Sequence, residues 1–157
     1  MAVLKNTHEP SDLTCEKAQK PSAPPRCVFD FLDGVLEGYD KEKVILHGET
    51  PIYFNPDFLP PRVTVFSCGV KIGEVVKNRI VPHHQFFMAL GHLFKIKIDL
   101  DKNSPSLLKY LHGEEIDVEC DKNGWGVVTV NGCALGGVKV VNGRAKNHYP
   151  KGLRSNQ

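Results

Sequence analysis

Residues 123–149 read NGWGVVTVNGCALGGVKVVNGRAKNHY, and Asn-Gly occurs in this stretch at 123–124, 131–132 and 142–143, each time beside an apolar or β-prone run. Asn and Gly tolerate the two positive-φ positions of a type I′ turn, so the pattern predicts hairpins. Strands at 116–120, 125–130, 133–141 and 144–149 joined by these turns form an antiparallel meander. Gly136 and Gly137, inside the third strand, predict a bulge or tight bend of the kind that lets a small sheet curl into a barrel.

Upstream of the meander, Ser104 as N-cap, Pro105 at the first position and Gly113 as the stop predict a short helix over 104–111. Residues 96–100 alternate Ile and Lys as a half-buried strand does. The stretch 82–94 carries Phe86, Phe87, Leu90, Leu93 and Phe94 at helical spacing, with Pro82 expected as its first residue. Short strands are expected at 44–46, 52–54 and 63–66 and through Val75 and Val76, bracketed by Gly48, Pro51, Pro56, Pro60, Pro61, Gly69 and Gly73. Residues 6–26, rich in Pro and Ser, read as a flexible linker. The fold class is α+β, with small curled antiparallel sheets, a C-terminal β-barrel and two short helices.

With 157 residues and 41% hydrophobic content the chain is long enough for a sizeable core without disulfides. It is too short for a Rossmann-type transferase with a second substrate domain. The net charge of +2 conceals an uneven distribution. Asp121 is the last acid, and Lys122, Lys139, Arg144, Lys146, Lys151 and Arg154 follow it. Between Arg62 and Lys97 the only acid is Glu74, whereas Glu114, Glu115, Asp117, Glu119 and Asp121 cluster between the two basic stretches. Such asymmetry points to an anionic partner or to internal pairing. Cys15, Cys27, Cys68, Cys120 and Cys133 have no metal-ligand spacing and read as reduced thiols, and the N-terminus has no signal-like apolar region. The longest apolar run, 86–90, is far shorter than a membrane span. The expectation is a cytoplasmic protein with no membrane association.

On the last strand Arg144, Lys146 and His148 share one face, while Ala145, Asn147 and Tyr149 share the other. Cations beside an aromatic platform suit single-stranded or looped RNA, with Tyr149 either stacking or anchoring the core. Lys139, Lys151 and Arg154 extend this candidate RNA-binding set. The plainer reading is a lysine-guarded edge strand. Lys77 and Arg79, just before the 82–94 helix, form a secondary phosphate site with His84, which is expected to stay neutral near a helix N-terminus. His83 and His84 make no metal pair, Cys68 has no activating base, and neither GWG at 124–126 nor LGG at 135–137 is a phosphate loop. No catalytic or metal residue is assigned.

The run from Asn123 through LGGVK at 135–139 to KNHYPKGLR at 146–154 resembles the PUA-like RNA-binding domain that closes bacterial RsmF/Sun-type rRNA cytosine-C5 methyltransferases. GVKIGE at 69–74, KNR at 77–79 and PHH at 82–84 are similar to that family's segment preceding the terminal domain, so the resemblance covers about residues 28–154. Residues 1–5 are similar to the last strand of the family's catalytic domain. The resemblance implies a linker or remnant of the catalytic domain over 1–27, an α+β connecting subdomain over 28–100 and the PUA-like domain over 101–157. It further implies catalysis by a cysteine attacking cytosine C6, a second cysteine aiding product release, and S-adenosylmethionine as methyl donor. This chain has no Pro-Cys motif, and Cys15 lacks the family's flanking residues. The expectation is a non-catalytic module without its own cofactor, whose partners are rRNA and the methyltransferase domain of a parent protein. The alternatives are a protein-interaction module with a basic docking surface, and a small diverged transferase.

Overall fold

The computed structural model describes residues 22–55 and 69–155. Around the two Asn-Gly hairpins the backbone follows the turn chemistry: Asn131 and Gly132 have φ of 51° and 77°, and Asn142 and Gly143 have φ of 50° and 73°. These turns join β8 (Gly124–Val130), β9 (Cys133–Val141) and β10 (Arg144–Asn147) into an antiparallel meander. The third Asn-Gly does not close a hairpin. Gly124 sits at φ 141° and leads into β8, while the strand before it, β7 (Ile116–Asp117), pairs with β10. β6 (Lys97–Asp99) adds in parallel beside β8, so the order is β6-β8-β9-β10-β7 and the curled half-barrel sheet is mixed. Residues 97–99, which the sequence places in the connecting subdomain, thus belong to the C-terminal sheet.

The register slips between Val128 and Thr129, which leaves Leu135 without a partner beside the Gly136-Gly137 pair. Each glycine admits a ring. A Cβ on Gly136 would stand 2.7 Å from the Tyr110 hydroxyl, and one on Gly137 would lie within 2.6 Å of three Phe87 ring carbons. The two faces of the sheet therefore carry separate cores. Val127 joins Phe86, Phe87, Leu90 and Phe94, and Val128 joins Tyr110, Ile116, Val138, Val140 and Ala145.

The first core is completed by α1 (Arg26–Val35), which buries Val28, Leu32 and Val35 at i, i+4 and i+7. This helix adds to the two short ones expected, and its first residues, Arg26 and Cys27, fall within the stretch expected as a linker. Ser22, within that predicted linker, forms a two-way backbone bridge with Leu46. β1 (Val44–His47) and β2 (Thr50–Tyr53) form a hairpin extended by β3 (Val70–Lys71). β4 (Gly73–Val76) and β5 (Arg79–Pro82) form a second one, turned at Lys77 and Asn78 with φ of 47° and 60°. The strand expected at 63–66 lies outside the described residues, as do Cys15 and Cys68.

Pro82 ends β5 instead of opening a helix. It faces Gly73, where a Cβ would stand 2.8 Å from the Pro82 Cα, and the His83 N–H still donates to the Ile72 carbonyl at 3.0 Å. Helix α2 consequently starts two residues later and spans only His84–Leu90 before tightening into a 3-10 turn at Gly91–Leu93. α3 (Pro105–His112) has the expected caps: the Ser104 hydroxyl accepts the Leu107 N–H at 3.2 Å, and Gly113 adopts φ 91°.

Candidate nucleic-acid interface

Strand register assembles the site. Trp125 on β8 faces Lys139 on β9, and Lys139 faces Lys146 on β10, so one cross-strand row runs aromatic, cation, cation. The neighbouring row holds Val127, Gly137 and His148, whose N–H donates to the Gly137 carbonyl at 3.1 Å. Because Gly137 has no side chain, His148 reaches across it to Trp125, with ring centroids 4.5 Å apart and edge-to-face geometry. Phe87, filling the space above Gly137, supports the indole from the core side at 6.0 Å. The Lys139 ammonium rests 5.6 Å from the indole centroid, a cation–π contact. Burial, and then the Lys139 charge, hold the His148 imidazole below its ordinary pKa, so near neutral pH it contributes a ring and not a charge.

Beside this row, Trp125 and Lys139 form one wall of an open groove of about 520 Å³, whose other wall comes from Asn78 and Arg79 on the β4–β5 hairpin and from Asp30 and Phe31 on α1. The primary and secondary cation sets singled out in the sequence thus meet at one groove through Arg79 and Lys139. Lys77 stands exposed at the hairpin tip.

The remaining candidates are placed differently. Arg144 lies opposite Asp117 in register, and its Nε is 3.4 Å from the carboxylate, so this cation is partly neutralised. Lys146 and Lys151 are exposed, and among the described residues no carboxylate pairs with either. Arg154 bends inward over Gly113 and donates from Nε and Nη2 to the Tyr149 carbonyl at 3.3 and 3.2 Å. Its guanidinium therefore closes the C-terminal segment. Tyr149 takes the packing alternative: its ring lies 5.4 Å from Tyr110 and 5.7 Å from His84. His84 opens α2 with Nδ1 buried and unpartnered, and burial lowers its pKa, which keeps it neutral. Neutrality was expected from the helix terminus, whereas burial is the cause here.

Trp125 is the residue that sequence reasoning passed over. The signal was available: once the Asn131-Gly132 hairpin is drawn, the strand alternation that exposes Lys139 sets Trp125 beside it. The space left by Gly136 and Gly137 is occupied by the rings of Tyr110 and Phe87, and that beside Gly126 by Ile96, so these glycines serve packing. Among the described residues, no cluster of His, Cys, Asp or Glu is arranged to hold a metal ion, and no helix is long and apolar enough to cross a membrane.

Comparison with family models matches residues 97–155 to the methyltransferase RsmF PUA domain. No curated protein matches the chain. The match begins at β6, one edge strand of the five-stranded sheet, and ends just after the turn that Arg154 fastens. Sheet, caps and matched span coincide: residues 97–155 form a PUA-like domain of the RsmF methyltransferase type.

Proposed function

We propose that this chain serves as the RNA-binding module of an S-adenosylmethionine-dependent rRNA cytosine-C5 methyltransferase, presenting rRNA to that enzyme's catalytic domain. The observation that carries the reading is the row of Trp125, Lys139 and Lys146 across the three central strands of a PUA-like sheet, with Arg79 across the groove. Cations spaced along adjacent strands meet consecutive phosphates, and an aromatic among them offers a surface to an unstacked base. The proposed division of labour gives this module grip and orientation. Methyl transfer and S-adenosylmethionine belong to the catalytic domain.

The test is fluorescence anisotropy with labelled rRNA fragments over a salt titration. Binding that weakens steeply with salt supports the proposal, and a flat response overturns it. Lys146→Ala weakens all RNAs alike if the residue contacts phosphate only.

A further inference from the structure

The groove between the two cation sets has a feature that phosphate binding leaves unused. Its lining includes two aromatic side chains, Trp125 and Phe31, together with Ile80 and Val81, and one carboxylate, Asp30, stands among the cations. Among the described residues, Asp30 is committed only to a weak, exposed contact with Arg26 at 3.7 Å. The indole is half-buried and braced by Phe87 and His148, so its position is set before any ligand arrives. Lys139 is the movable element, a flexible side chain resting beside the ring.

Resting on the RNA-binding reading above, we propose that this groove seats a single unstacked nucleobase against Trp125, and that the base carries an exocyclic amino group. Lys139 leaves the ring for the phosphate of the seated nucleotide, and Arg79 approaches that phosphate from the opposite wall. The vacated indole face stacks on the base. Asp30, an acceptor without a proton to give, takes a hydrogen bond from an amino group, which cytosine, adenine and guanine offer and uracil does not. Because Asp30, Arg79 and Trp125 come from three separated parts of the chain, the site exists only in the folded whole.

Trp125 is the only tryptophan in the protein, so its emission reports on this groove alone. The probes are the single-stranded octamers C8 and U8, with anisotropy of end-labelled RNA measured alongside tryptophan emission. The expected result is quenching of Trp125 by C8 in step with binding, weaker binding and quenching by U8, and a loss of roughly tenfold in C8 affinity for Trp125→Leu. Asp30→Ala removes the difference between C8 and U8. A second measurement is independent of folding in the variants: half-buried Cys27 lines the same groove, so C8 slows its alkylation by iodoacetamide, read peptide by peptide in a mass spectrometer. RNA binding without quenching and without Cys27 protection overturns the groove assignment while leaving RNA binding intact. Equal quenching by both octamers overturns the amino-group selection. Absence of any anisotropy change overturns the RNA-binding reading, and this assignment with it.

Discussion

Asp117 is the carboxylate that pairs with Arg144 beside the cation row, and its removal tests whether that face grips phosphates. It pairs with Arg144 across β7 and β10, with both side chains largely in water, at 67% exposure for Arg144 and 86% for Asp117. An exposed pair of this kind contributes about 0–1 kcal/mol, so Asp117→Asn, which keeps the side-chain size, leaves stability nearly unchanged. Its effect on RNA is larger. With Lys139, Lys146 and Arg79 as the cations facing the groove and its rim, and about −0.7 in log-log salt slope per phosphate on a single strand, the native protein is expected near −2. Freeing Arg144 adds a fourth contact and brings the slope to about −3, while Lys146→Ala brings it to about −1.4. One added contact of this kind strengthens binding about fivefold at 0.1 M salt, and the lines for variant and native protein meet near 1 M. Anisotropy titrations of a labelled single-stranded RNA at four or five salt concentrations give these slopes directly. Parallel lines, or a gain that persists at 1 M salt, would show that Arg144 does not become a phosphate contact, and the reasoning would fail.

Gly137→Ala drives a methyl group into the ring of Phe87, which is 1% exposed, so overpacking costs about 1–3 kcal/mol. For a chain of this size that lowers the melting temperature by roughly 2–4 °C per kcal/mol, measurable by calorimetry. Tyr110→Phe deletes the buried hydroxyl that donates to the Gly137 carbonyl at 3.2 Å and is expected to cost about 1 kcal/mol in chemical denaturation. His84 and His148 both titrate below their ordinary value of 6.5, chiefly because the surrounding protein takes water from their rings. The unfolded chain takes up those protons first. Stability therefore stays level above pH 6.5 and falls as the pH drops through it toward the depressed folded values, and His84→Asn removes its share of that loss. The same shift is visible in Trp125 emission: protonating His148, 4.5 Å away, quenches the indole with a midpoint below 6.5, and His148→Asn abolishes the transition.

The meander was legible because Asn-Gly states its own backbone demand, and four residues, Asn131, Gly132, Asn142 and Gly143, meet it with positive φ. The α3 caps were legible for the same local reason. α1 was not, because apolar Phe29 and Phe31 blur its periodicity and Pro25 supplies no side-chain cap. Pro82 misled because a proline suits either the first turn of a helix or the end of an edge strand, and the choice rests with Gly73 on the partner strand. The pairing of β7 with β10 depends on a long-range closure that no dipeptide encodes. For the site, alternation sets Arg144, Lys146 and His148 on one face of the last strand, and all three are exposed there, whereas the contacts of Arg144 and Arg154 are set by Asp117 and the turn around Gly113, distant in sequence.

Those long-range partners bear on where the module's boundary lies. The span matched to the PUA domain begins at residue 97, yet one face of its sheet is covered by residues that precede it. Phe87 fills the seat left by Gly137, Gly91 packs against Ala134, and Val127 is buried among Phe86, Leu90 and the α1 side chains Val28 and Leu32. The indole of Trp125 is braced by Phe87, and the opposite wall of its groove comes from α1 and the β4–β5 hairpin. Packing and recognition therefore share a dependence. The segment before residue 97 acts as the lid of the first core and as half of the groove, so the cation row and the aromatic platform are products of the whole described fold and not of the matched span alone.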